Sequence, residues 1–446
     1  MHSGRIFKNS YYLPFKSKCL SNVNNQLAEQ SYHLHYFLLG TSHPFAENEI
    51  HLIEYNDQSC TVRNVEIFDH KEEVKHLVCL DMCGKGDAKG KDILVCTSVV
   101  VSGDVGRTSQ LPVNAGGLEY RCFLHRGSLN NFDEEEFAAG EETDPGMEQM
   151  DEANQANQAN QANQASRNLD DPGGEENGPA KSMTNELMND KGAKQKSMSR
   201  GKGKAALDKL CELKTDQPYV GIKNIAVEEH EGEFRRIAVI DKYRYDIFGR
   251  SQSDMDFVTS KNMNHELNYG IFDPHHENIL TVISDTNVYG YDTKNDVEIF
   301  STFANHKADL SSLDFNPNIP NVIVTSSNDG YVKFWDLRFL TDAFLTVNIH
   351  SHWVTSIHFN NFHDELLLST SSDNTVKLHK IDYPAKLNLK KKDTNYQLLK
   401  TYSDHEESVY QGRWSKTDAW VFASLSYDGK CVVNSVPTEE KYRILL

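Results

Sequence analysis

Five aspartates in the second half of the chain fall on a near-constant period. Asp241, Asp285, Asp329 and Asp373 are spaced forty-four residues apart, and Asp428 follows after fifty-five. Each closes an apolar or Ser/Thr-rich run and opens a turn into another strand-like run. The sixth residue after each is Ile247, Tyr291, Trp335, His379 or Asn434. The fullest copy is SSNDGYVKFWDLR, Ser326 to Arg338, where an Asp-Gly turn leads into a strand that ends in Trp-Asp. His306, His352 and His405 precede Asp329, Asp373 and Asp428 by similar intervals, the middle one slightly shorter than the other two. Between these marks run LSSLDFNP, VTSIHFNN and SVYQGRWS, which alternate with the period of two expected of a half-buried strand.

Units of this length with four short strands predict a β-propeller of WD type. A four-stranded blade cannot bury both faces alone, and stacking blades in a ring buries both while leaving only short edges. The expected fold class is all-β: a seven-bladed WD40 β-propeller with a long disordered insertion. The blades are expected near 32–62, 66–126 and 210–250, with four more following. Six or eight blades are the alternatives. Two segments are candidates to close the ring, the tail EEKYRILL read as an added strand and GRIFKNSYYLPF near the start. The marked residues are structural in this reading: Asp241, Asp285, His306, Asp329, Trp335, His352, Asp373, His405 and Asp428. In the fullest unit His306, one of Thr325 or Ser326, Asp329 and Trp335 form one buried hydrogen-bond chain. A His and an Asp beside a Ser also describe a hydrolytic triad, but an active site does not recur three times in succession.

Charge divides the chain. Net charge is -19, which makes nucleic acid a poor partner for the whole molecule. Residues 131–180 hold fourteen Asp and Glu against Arg167 alone, and include four ANQ triplets at 153–164. Residues 181–209 reverse sign, with eight Lys and Arg against three acids. Such sequence has too little apolar surface to offset its ordering entropy. Three parts follow: 1–128 with blades 1 and 2 and an N-terminal segment, 129–208 as a low-complexity insertion, and 209–446 with blades 3 to 7 and a C-terminal strand. DYPAKLNLKKKDTNYQ is expected to be a polar linker between blades 6 and 7. The eight cysteines form no CxxC pair and read as reduced thiols. No apolar run is long enough for a membrane-spanning helix. The segment 1–28 lacks Asp and Glu, but has no apolar core of signal-peptide type.

Several strings go beyond the period: NEIHLIEY (48–55), DPHHEN (273–278), DFNPN (314–318), VKFWD (332–336), HSHWV (350–354), HDELLL (363–368), HEESVY (405–410), FASLSYDGK (422–430) and KYRILL (441–446). Together they resemble the family of EARP- and GARP-complex-interacting proteins, densely from residue 262 onward. The resemblance implies a seven-bladed WD propeller with no catalytic role. It implies an adaptor that binds multisubunit tethering complexes and supports endosome-to-Golgi retrieval, endosomal recycling and secretory vesicle sorting, with a link to a Rab GTPase pathway. A cytoplasmic monomer, associated peripherally with the trans-Golgi network and endosomes, goes with that role. The insertion and the basic KLNLKKK depart from the family pattern.

No catalytic, cofactor-binding or metal-binding residue is expected. GKGDAKGKD (84–92) lacks the spacing and the Ser/Thr of a phosphate-binding loop. The pairs His350/His352 and His275/His276 have no carboxylate or cysteine partners at metal-site spacing. The candidate partner-binding residues are Trp353, Asp309, Glu406 and Glu407, on loops next to the blade histidines, with a large aromatic anchor flanked by acidic steering groups. Arg338 is the fifth candidate partner-binding residue and belongs to the alternative function. Trp335, Asp336, Leu337 and Arg338 spell the W-D-x-R ending found on substrate receptors of cullin-RING ubiquitin ligases.

Overall fold

The computed structural model describes residues 9–23, 33–80, 92–102, 118–128, 205–230, 233–251, 255–383 and 395–446. Among them are seven blades of four antiparallel strands, of which blades 1 and 2 are joined edge to edge by a parallel pairing of Phe68 and Asp69 with Ala205 and Ala206. Blades 3 to 6 each use four consecutive strands, for example Leu310–Phe315, Val322–Ser327, Tyr331–Asp336 and Leu345–Asn348 in blade 5. The second strand is the driest part of a blade. Val322–Ser327, Leu366–Ser371 and Val421–Ser426 are buried at every position because blades pack on both of their faces. The fourth strands alternate and face outward. The first strand of every blade touches the first strands of both neighbours, so these seven strands close a ring around the axis.

Ring closure is made by the N-terminal candidate. Ser10–Tyr12 pairs antiparallel with Lys430–Ser435 and completes blade 7 as its fourth strand. Two other backbone bonds extend this seam: Leu13 N–H donates to Gly429 O at 3.0 Å, and Val433 N–H to Asn9 O at 2.9 Å. The expectation of a C-terminal strand is overturned. Residues Thr438–Leu445 form a helix with Glu439 and Glu440 in its first turn and Arg443 in its last, the arrangement that the helix dipole favours.

Blade boundaries move accordingly. Blade 1 begins earlier than expected, at Ser17–Val23, and ends at Thr61–His70. Blade 2 takes its fourth strand from Ala205–Glu212, beyond the insertion, so that strand belongs neither to blade 3 nor to the span 129–208. The insertion leaves from the connection between the third and fourth strands of blade 2, and its residues 129–204 lie outside the described ones. The basic stretch is also relocated. Asn395–Tyr402 is the fourth strand of blade 6, so KLNLKKK joins two strands of one blade rather than two blades. Residues 384–394 lie outside the described ones.

Candidate protein-binding face

Chain direction sorts the loops onto two faces. In each blade the first strand runs from the inter-blade connection, the second returns to the Asp turn, and the third and fourth repeat the pair. One face therefore carries the inter-blade connections and the turns of Asp241, Asp285, Asp329, Asp373 and Asp428. The opposite face carries the turns after first strands and the connections after third strands.

Beneath the first face lie the polar chains that hold its loops. In blade 5, His306 Nδ1 faces the Asp329 carboxylate at 3.2 and 3.3 Å, and Nε2 meets Thr325 Oγ1 at 3.3 Å. Trp335 Nε1–H donates to the same Thr325 oxygen at 3.0 Å. Asp329 also accepts from the backbone N–H of Lys307 and of Tyr331. Gly330 follows with φ 82°, and an added Cβ would sit 2.5 Å from His350 O, so the Asp-Gly order is required by the turn. Burial pushes His306 down to about 4 despite Asp329, so the ring is neutral at pH 7. Burial acts to raise Asp329, but the Lys307 and Tyr331 amides and His306 outweigh it and hold the carboxyl below its ordinary range.

In blade 6 the histidine of this chain is His350, not His352. His350 Nδ1 meets Asp373 Oδ2 at 2.9 Å and Nε2 meets Ser369 Oγ at 2.8 Å. Ser369 passes the chain to His379 at 2.7 Å, and His379 to Tyr396 OH at 2.9 Å. His379 thus stands where blade 5 has Trp335. The reason His352 fails is geometric: it lies beyond the first residues of the loop, exposed, with Nδ1 on Ser372 Oγ. Spacing carried the signal, since the interval from His350 to Asp373 equals those from His306 to Asp329 and from His405 to Asp428.

Blade 7 routes the contact through a serine. His405 meets Ser424 Oγ at 2.8 Å and Ser426 Oγ at 2.9 Å, and Ser426 donates to Asp428 Oδ1. Blades 3 and 4 have no such histidine, and Pro218 and Asn262 stand at the matching interval before Asp241 and Asp285. Asp241 compensates by accepting from the backbone of Val220 and Gly221 at 3.0 and 2.7 Å. Asp285 is exposed at φ 45° and contributes its carbonyl, which accepts from Leu310 N–H at 2.6 Å.

The surface above these chains contains four of the five candidate contact residues. Trp353 is 54% exposed, its ring 5.3 Å from His352. Asp309, Glu406 and Glu407 lie on neighbouring connections of the same face. Asn374 Nδ2 donates to Glu406 O at 2.8 Å, which ties the blade 6 turn to the blade 7 loop. Arg338 lies on the opposite face, where its guanidinium is bidentate to Asp336 at 2.8 and 2.7 Å. The five residues therefore do not form one site.

Sequence reasoning missed the other half of this face. The first strands of blades 1, 2, 5, 6 and 7 share a bulge that skips Lys18, Lys75, Ser311, Thr355 and Tyr410. All five line the mouth of the central channel, a cavity of about 370 Å³ that also meets Lys223 and Arg413. Lys18 sits over the Tyr410 ring and Lys16 over the Tyr427 ring, each at 4.4 Å. Phe45, 93% exposed, stands on the blade 1 turn of this face. A basic, aromatic sector over blades 7 and 1 thus adjoins an acidic sector with Trp353 over blades 5 to 7. The repeated bulge is a register feature, and no residue type marks it in the sequence.

Among the described residues no helix is long and apolar enough to cross a membrane, and the described cysteines are free thiols.

Residues 229–379 match the EIPR1 beta-propeller family, and residues 396–433 match the WD domain, G-beta repeat. The chain is 38% identical over 197 residues to EARP and GARP complex-interacting protein 1 of Rattus norvegicus, and 36% identical over 198 residues to that of Homo sapiens. Each match covers 40% of this chain and 51% of the relative. EARP-interacting protein 1 of Caenorhabditis elegans is 34% identical over 204 residues, 42% of this chain and 56% of that protein. The chain therefore spans about half the length of the curated relatives it matches.

Proposed function

Since residues 229–379 match the EIPR1 beta-propeller family, we propose that this chain is a non-catalytic adaptor that binds a multisubunit tethering complex of EARP or GARP type. The observation that carries the reading is that match, together with relatives named for interacting with those complexes. In this role the protein works peripherally at endosomes and the trans-Golgi network and supports retrieval, recycling and secretory sorting. The Asp-turn face is the docking surface. Trp353 supplies an apolar anchor, and Asp309, Glu406 and Glu407 steer a basic segment of the tether toward it. The buried His–Asp pairs argue for a structural rather than a catalytic use, because their rings are neutral, enclosed and repeated.

Affinity purification of the full chain from its own cells, read by mass spectrometry, tests the reading. Tethering-complex subunits in stoichiometric recovery are expected. Recovery of a cullin-RING adaptor without tether subunits overturns it in favour of the W-D-x-R reading.

A further inference from the structure

On the face opposite the Asp turns, the seam between blade 7 and blade 1 brings together three side chains far apart in sequence. His35 is the second residue of the second strand of blade 1, Asp57 follows its third strand, and Asp418 lies in the turn between the first two strands of blade 7. His35 Nδ1 or Nε2 and one carboxylate oxygen from each aspartate all lie within 4.8 Å of one another. His35 is fully buried, and its Nε2 has no hydrogen-bond partner. The opposite ring nitrogen is committed, with Nδ1 at 3.2 Å from Ser415 Oγ and Ser415 at 3.1 Å from Thr417 Oγ1. With Nδ1 committed to Ser415, the buried Nε2 keeps its lone pair unshared in a cluster with two carboxylates. A lone pair and two anions repel one another, and an enclosed ring nitrogen without a partner is unfavourable.

We propose that His35, Asp57 and Asp418 form a binding site for a divalent transition cation of zinc type, one that fastens the first blade to the last. The donor set is one imidazole and two carboxylates, and Zn²⁺ accepts such nitrogen and oxygen ligands at about 2.0–2.2 Å with a fourth position for water. Three ligands at that radius stand about 3–4 Å apart. Both aspartates are only partly buried, which leaves their side chains room to rotate toward that spacing. Ser415 is the outer partner that orients a ligating histidine. Asp57 is held from behind by His33 Nδ1 at 3.0 Å, and Asp418 by the Trp420 N–H. Unlike His275/His276, where His276 pairs with Asp273, this set is made by ring closure and joins the two ends of the chain. No local motif encodes it.

The test titrates the chelator-treated full chain with Zn²⁺ by calorimetry and records thermal melts with Zn²⁺ or Ca²⁺. The wild type is expected to take up one equivalent more tightly than the rest and to melt several degrees higher with Zn²⁺ than with Ca²⁺. The double variant Asp57→Asn, Asp418→Asn keeps the polar contacts and is expected to lose at least about tenfold in affinity for that equivalent, with its metal-free melt no lower than that of the wild type. His35→Gln, confirmed as folded by its melt, is expected to behave likewise. Identical zinc isotherms for wild type and double variant overturn the proposal, as does an equal shift with Ca²⁺.

Discussion

Trp335 and His350 show how the repeat is held at single residues. Trp335 is 2% exposed and its indole N–H ends on Thr325. Trp335→Ala removes a large buried aromatic and leaves the Thr325 oxygen without a donor, so it is expected to lower stability by about 3–5 kcal/mol in a denaturant titration. For the two blade 6 histidines the expectation is opposite in size: His350→Ala destabilises strongly and His352→Ala stays within about 0.5 kcal/mol, because only His350 has buried partners. Equal effects would contradict the assignment of His350. The same rings set a pH dependence. Burial pushes His76, His306, His358 and His405 each down to about 4. In the unfolded chain they titrate near the ordinary value of about 6.5. Below that value the unfolded state binds more protons, so this stabilisation is complete above about pH 6.5 and is lost as pH falls toward about 4. The melting temperature should drop between about pH 7.5 and 5, and a flat or rising profile would count against neutral buried rings. Much of this was readable from the spacing of His, Asp and Trp. The repeat already put His379 in the place of Trp335, but its bonds to Ser369 and Tyr396, and the exchange of Asp428's direct contact for one through Ser426, needed coordinates, because several polar residues can complete a buried chain.

At the scale of elements, the seam is made by a very short strand. Removing residues 1–12 deletes Ser10–Tyr12 and leaves the edge of Lys430–Ser435 unpaired. Broader, lower melting and self-association on size exclusion are the expected outcome, and an unchanged melt would show that closure lies elsewhere. The insertion gives the opposite expectation. Joining residue 131 to 204 with a short Gly/Ser linker spares Ala205–Glu212, so the shortened chain should still unfold cooperatively. Loss of cooperativity would mean that the excised span contributes to folding. The all-β class followed from the spacing of the turn aspartates, and the blade count from that spacing with the upstream strand runs and the chain length outside the insertion. The N-terminal closing segment was named only as one of two candidates, and the C-terminal strand was a misassignment. Ser10–Tyr12 is too short to carry a periodic signal, and EEKYRILL suits a helix because its acids and its Arg match the helix ends. Ala205–Glu212 was obscured by the charged sequence before it.

For the whole molecule, the central claim is that a structural ring presents the Asp-turn face to a tethering complex. Local reasoning named Trp353, Asp309, Glu406 and Glu407, which chain direction puts on that face, and Arg338 for the alternative function, which chain direction puts on the opposite one. Lys16 and Lys18 were invisible because closure brings blade 1 beside blade 7. The most direct measurement is the affinity of purified tethering complex for three forms of the full chain. These are the wild type, the face variant Trp353→Ala, Glu406→Lys, Glu407→Lys, and the opposite-face variant Arg338→Ala. The account predicts at least about tenfold weaker binding for the face variant, with its melting temperature within a few degrees of wild type, and unchanged binding for Arg338→Ala. Undiminished binding by the folded face variant, with loss on Arg338→Ala, would contradict it.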